Sequence, residues 1–94
     1  MSFLHTLEAI VRDRKANPID GSYTNKLLSS GRERMAQKVG EEGVEIVVAA
    51  LSQTRDRQVS EVADLFYHTL VLLCDLDISL NDIEAELQSR HSPR

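Results

Sequence analysis

The stretch Lys38-Val39-Gly40-Glu41-Glu42-Gly43-Val44-Glu45-Ile46-Val47-Val48-Ala49-Ala50-Leu51 decides how this chain folds, because it runs a cluster of acids straight into an apolar segment. Met35, Ala36, Val39, Val44, Val47, Val48 and Leu51 return at intervals of three, four and five residues, which predicts one long helix from Arg32 to Leu51. Gly40 and Gly43 each weaken such a helix by about 1 kcal/mol relative to alanine, so their presence points to a neighbour in close approach. A second junction of the same kind follows, where Glu61-Val62-Ala63-Asp64 leads directly into Leu65-Phe66-Tyr67-His68. Its helix is expected to open at Thr54 or Asp56, after the turn Ser52-Gln53-Thr54, and to reach about Asp75. Both helices read as largely buried, and the short turn between them would allow an antiparallel pair.

The flanking segments are helical too. Phe3, Leu4, Leu7, Ile10 and Val11 share one helical face over Ser2 to Lys15, and Asn17-Pro18 ends it. Ser22 or Thr24 can cap a short helix through Lys26, Leu27 and Leu28, which Ser29-Ser30-Gly31 interrupts. Ser79 with Asp82 three residues later resembles a capping box opening a last helix with Leu80, Ile83 and Leu87 on one face. His91 to Arg94 reads as a frayed tail. No stretch alternates long enough for a strand, so the expected fold is all-α, a bundle of about four to five helices.

Ninety-four residues, 41% of them hydrophobic, fit one domain spanning 1–94, yet a chain this short covers its apolar surface poorly by itself. Oligomerisation is therefore expected. The net charge of −4 argues against the broad basic footprint that nucleic acid requires, while leaving room for a small anion held by a local positive cluster or a metal. The single cysteine, Cys74, excludes an intramolecular disulfide and reads as a small buried hydrophobe. The N-terminus lacks a secretory pattern, and the apolar run Leu65 to Leu73, broken by His68 and Thr69, is too short for a membrane span. A cytoplasmic location without a membrane partner is expected.

The chemistry lies in the acids. At roughly 100° per residue, Glu42 and Glu45 sit about 60° apart around their helix, and Glu61 and Asp64 stand in the same relation on theirs. If the two stripes face each other, four or five carboxylates converge, and buried like charges repel unless something positive lies between them. Carboxylates are hard donors suited to magnesium or manganese, and magnesium binds together with substrate phosphates. Phosphoanhydride or phosphate-ester chemistry is the implied class. A pair of solvated helix faces is the alternative for either motif alone. His68 shares the stripe of Glu61 and Asp64 as a hydrogen-bonded helix residue, a neighbour of the ligands or a ligand. Lys38, with Arg32 and Arg34 on preceding turns, can neutralise a phosphate beside the acids or form a solvated basic face. Tyr23 and Thr24 can donate hydroxyl hydrogen bonds to substrate, and Lys26, Arg14 and Lys15 are further cationic candidates.

Lys38 through Glu45, with the flanks Arg34 to Leu51, resembles the signature of the phosphoribosyl-ATP pyrophosphohydrolase family, and Glu61 through His68 resembles its second motif. Arg14-Lys15, Asn17-Pro18, Ser22-Tyr23-Thr24 and Leu27-Leu28 fit its N-terminal pattern, so the resemblance covers about residues 3 to 90. The E-E-x-x-E and E-x-x-D pair is shared with MazG-like all-α nucleotide pyrophosphohydrolases at large. The resemblance implies that Glu42, Glu45, Glu61 and Asp64 bind magnesium, with Glu41 a further ligand or the base that orients water. It also implies a homodimer whose helices together complete the bundle. The implied reaction converts phosphoribosyl-ATP to phosphoribosyl-AMP and pyrophosphate in histidine biosynthesis, with the hydrolase expected to stand alone, free of a fused cyclohydrolase domain. Lys38, Arg32, Arg34, Tyr23, Thr24 and Lys26 are the expected substrate-binding residues, with Glu41, Glu42 and Glu45 the catalytic acids. Two alternatives remain: a house-cleaning nucleoside triphosphate hydrolase of the same superfamily, and a non-catalytic helical dimerisation module whose acids form interhelical salt bridges with Arg32, Arg34, Arg55 and Arg57.

Overall fold

Five helices follow one another along the chain in the computed structural model, which describes residues 2–91: α1 Phe3–Ala16, α2 Tyr23–Ser29, α3 Arg32–Ser52, α4 Arg55–Leu76 and α5 Leu80–His91. No strand occurs among the described residues, and the all-α expectation holds. The helix boundaries follow local chemistry. Ser22 accepts the backbone N–H of Asn25 at the start of α2, and Thr54 accepts that of Arg57 at the start of α4. Ser79 and Asp82 form a reciprocal capping box: the Ser79 hydroxyl accepts the Asp82 N–H at 3.1 Å, and the Asp82 carboxylate accepts the Ser79 N–H at 2.9 Å. The left-handed φ of 98° at Gly31, immediately before α3, suits a residue without a Cβ. His91, expected in a frayed tail, closes α5, and positions 92–94 of that tail lie outside the described residues.

The antiparallel hairpin of α3 and α4 is the frame. Its register is fixed at both ends, where Arg32 Nε donates to Asp75 Oδ2 at 2.7 Å and Gln58 Nε2 donates to the Ala49 carbonyl at 3.1 Å. Helix α1 packs on α4 and α2 packs on both helices of the hairpin, enclosing a small core of Val11, Leu27, Met35, Val71 and Cys74. Polar ties hold α1 to the α4–α5 corner: Arg12 Nη2 donates to the Ile78 carbonyl at 3.3 Å, and the Leu80 N–H donates to Glu8 Oε2 at 2.6 Å. No described helix is long and apolar enough to cross a membrane.

The sequence overstates burial inside one chain. Val44, Val47, Val48 and Leu51 on α3, and Val59, Val62 and Phe66 on α4, are exposed, with Leu51 83% accessible. The remaining helices are too few and too short to cover both sides of the hairpin. A Cβ placed at Gly40 or Gly43 would meet nothing within 4 Å, so the close neighbour expected at these glycines is not found within the chain.

Candidate active site

The hairpin register sets Glu42 on α3 opposite Glu61 and Asp64 on α4. One carboxylate oxygen from each lies within 4.8 Å of the others. Glu42 is 9% exposed and Glu61 6%, while Asp64 opens the trio to solvent. The two buried acids already carry cationic partners from their own helices. Arg57 Nη2 approaches Glu61 Oε1 to 2.7 Å, and Lys38 Nζ lies 3.6 Å from Glu42 Oε1. Three closely spaced hard oxygen donors, two of them held in place by burial, fit a magnesium-type cation; two cations against three carboxylates leave the group net negative.

Four of the sequence-proposed residues meet here: Glu42, Glu61, Asp64 and Lys38. Glu45 lies one turn beyond Glu42 on α3, exposed and outside the trio. Glu41 turns to the other side, with Arg34 Nη1 at 3.6 Å and Lys38 Nζ at 3.8 Å from its Oε1. Arg32 is engaged elsewhere, since Asp75 stands about 16 Å along α4 from Asp64 at 1.5 Å per residue. The expected convergence of four or five acids is thus a convergence of three.

Helix α2 brings the hydroxyl groups. Tyr23 meets His68 Nε2 at 3.3 Å, and the hydroxyls of Thr24 and Tyr67 share a 2.5 Å hydrogen bond. The Tyr23 and Tyr67 rings stack with centroids 6.3 Å apart, and His68 meets both edge-on. Burial raises the Tyr67 pKa above its ordinary 10.0, the Thr24 bond opposing that shift. Sequence reasoning passes over Tyr67, although a phenol inside an apolar helix signals a polar partner elsewhere in the fold.

Beside this cluster, between the end of α1 and α2, lies a cavity of about 800 Å³ lined by Lys15, Ile19, Ser22, Tyr23, Lys26 and Ser29 among others. Arg14, a further cationic candidate, instead pairs with Asp13 at 2.8 Å. A cavity lined by two lysines, one carboxylate, Asp20, and several hydroxyls is therefore connected to the acidic trio by Tyr23 and His68.

The interactions of the acids also bear on the dimerisation-module reading. The ion pairs of Glu41, Glu42 and Glu61 are within single helices, whereas the arginine that bridges α3 and α4 is Arg32, through Asp75.

Comparison with known proteins bears on the family. Residues 4–91 match the family model described as phosphoribosyl-ATP pyrophosphohydrolase. The chain is 54% identical over 84 residues to the phosphoribosyl-ATP pyrophosphatase of Pyrobaculum aerophilum, covering 89% of each. It is 46% identical over 88 residues to the protein of the same name from Clostridium acetobutylicum, covering 94% of this chain and 80% of that one. It also matches the histidine biosynthesis bifunctional protein HisIE of Photobacterium profundum, at 48% identity over 90 residues, or 96% of this chain. Of the bifunctional relative's length the chain spans 44%. With a match along nearly its whole length and the acids of both motifs in place, the chain belongs to the phosphoribosyl-ATP pyrophosphohydrolase family.

Proposed function

We propose that this chain hydrolyses the α–β phosphoanhydride of phosphoribosyl-ATP, releasing pyrophosphate and phosphoribosyl-AMP in histidine biosynthesis, as a cytoplasmic homodimer. The observation that carries the reading is the half-buried trio of Glu42, Glu61 and Asp64 with Lys38 beside it, in a chain of this family. The trio would hold magnesium, or manganese in its place, with Glu45 the fourth ligand that the family resemblance implies. Bound there, the ion would supply charge neutralisation on the triphosphate and a more acidic water.

The chain's own groups do the rest. Lys38, poised between Glu41 and Glu42, donates to a phosphate oxygen as the bond between phosphorus and the leaving oxygen lengthens. Glu41, outside the trio, would serve as a further ligand or as the base for the attacking water, as the family resemblance implies. Lys15 and Lys26, with Ser22 and Ser29, suit the second phosphate of the substrate in the α1–α2 cavity. A second copy of the chain would cover Val44, Val47, Val48 and Phe66 and explain the glycines left open on α3.

The test is release of pyrophosphate from phosphoribosyl-ATP by the purified protein with magnesium and with a chelator. Magnesium-dependent formation of equal amounts of pyrophosphate and phosphoribosyl-AMP is expected. Release of orthophosphate alone, or no release, would overturn the assignment.

A further inference from the structure

His68 lies on α4 with 7% of its surface exposed, and both ring nitrogens are engaged. Nδ1 stands 2.8 Å from the backbone carbonyl oxygen of Asp64, one turn earlier, and Nε2 stands 3.3 Å from the Tyr23 hydroxyl on α2. A carbonyl oxygen only accepts, so Nδ1 carries a proton. In the neutral ring Nε2 then holds a lone pair, and the Tyr23 hydroxyl donates to it. A phenol has one proton. Once it is committed to His68, the Tyr23 oxygen presents lone pairs alone and serves only a ligand group that donates. On this reading Tyr23 accepts from substrate, whereas the sequence expectation has it donate.

The Tyr23 ring is held in place. It stacks on Tyr67, and the His68 ring packs edge-on against it at 6.2 Å. It is also half-exposed and lines the cavity that Lys15 and Lys26 share. The cavity thus combines cationic donors, which suit phosphate oxygens, with acceptors, Tyr23 and the Asp20 carboxylate, which suit sugar hydroxyls.

We propose that His68 is a positioning residue that makes Tyr23 a hydrogen-bond acceptor for a hydroxyl of the second sugar, leaving the phosphate on that sugar to the two lysines. The inference rests on the phosphoribosyl-ATP reading above. It predicts that His68 acts through Tyr23 and on binding more than on turnover.

Long-range proton–nitrogen correlation spectra of the full chain at about pH 8 read the tautomer directly. A protonated Nδ1 with a bare Nε2 is expected; the opposite tautomer or a doubly protonated ring overturns the inference. In kinetics, Tyr23→Phe and His68→Asn should each raise KM for phosphoribosyl-ATP about five- to tenfold, with a smaller fall in kcat. The asparagine keeps a donor near the Asp64 carbonyl but falls short of Tyr23. The double variant should be no worse than either single one, and His68→Gln, whose amide oxygen takes the place of Nε2, should recover most of the affinity. KM for ATP, which lacks the second sugar, should stay near the parent value. Additive losses, equal losses on ATP, or a fall in kcat alone would each overturn it. Should His68→Asn fail to fold, an unchanged KM in Tyr23→Phe does the same. A parent protein that releases no pyrophosphate sinks the phosphoribosyl-ATP reading and the sugar assignment with it, while the spectra still report the direction of the Tyr23 hydrogen bond.

Discussion

Glu42 on α3 and Glu61 on α4 hold carboxylate oxygens within 4.8 Å of each other while both side chains are buried. Two like charges so placed are costly, and the fold offsets them with Lys38 on one and Arg57 on the other. Both cations come from the same helix as the acid they serve, four residues earlier. These two cations offset the two buried charges from within each helix, and Asp64 adds a third carboxylate beside them.

Asp64→Asn should abolish magnesium-dependent pyrophosphate release while leaving the metal-free protein at least as stable as the parent. Asp64 forms no ion pair among the described residues, so neutralising it removes repulsion and breaks no salt bridge. Turnover assays and thermal midpoints of the chelated proteins check both halves. Activity within tenfold of the parent would remove Asp64 from the proposed site.

Magnesium should raise the thermal midpoint of the parent. An ion that binds only the folded state stabilises it by about 2.7 kcal/mol at one hundred times its dissociation constant, and Asp64→Asn should lose most of that gain. A midpoint that ignores magnesium up to millimolar levels would count against the trio as a metal site.

Light scattering should find a dimer at micromolar concentration, and Val47→Glu with Phe66→Glu should convert it to monomer or unfold it. Val47 is 57% exposed and Phe66 46% in the single chain, on the two helices that also carry the acids. A parent that scatters as a folded monomer contradicts the proposed assembly.

Asp82 should make α5 acid-sensitive. Its backbone and side-chain hydrogen bonds with Ser79 hold its carboxyl below the ordinary 3.8. A depressed folded-state pKa gives stabilisation that is fully present above the unfolded value and is lost as pH falls through the folded one. Amide exchange at the start of α5 should therefore accelerate below about pH 4 beyond the intrinsic trend, and Asp82→Asn should abolish that excess. Equal pH profiles for the two proteins would contradict the capping box as its cause.

The helices were legible because their caps are local: Ser22, Thr54, and Ser79 with Asp82 each act within three residues. The trio was legible in part. Three-residue spacing puts Glu61 and Asp64 on one stripe, but whether Glu42 or Glu45 faces them depends on the hairpin register, which Arg32–Asp75 and Gln58–Ala49 set across the helices. The burial of the Val44–Leu51 segment was misread because hydrophobic periodicity marks a face that seeks cover without saying which chain supplies it. The bond between Tyr23 and His68 spans 45 positions and has no local signal.

The remaining prediction concerns the choice between phosphoribosyl-ATP and ATP, which carry the same triphosphate. On the proposed reading the trio, through the ion it would hold, and Lys38 serve only the triphosphate, so they cannot tell the two apart. Discrimination has to arise where the second ribose phosphate lies, and the α1–α2 cavity places Lys15, Lys26, Ser22 and Ser29 around a space large enough for it. A charge-assisted hydrogen bond contributes about 1.5 to 3 kcal/mol, so two such contacts predict a kcat/KM ratio on the order of a hundred or more in favour of phosphoribosyl-ATP. Lys15 also donates to the Cys74 carbonyl at 3.4 Å, a tie that Lys26 lacks, so Lys26→Ala isolates substrate binding from packing more cleanly. That variant should lower kcat/KM for phosphoribosyl-ATP about tenfold or more and leave the weak ATP reaction nearly unchanged. Equal efficiencies in the parent would favour a house-cleaning triphosphate hydrolase, because a site blind to the second phosphate has no physical means of preferring the biosynthetic substrate.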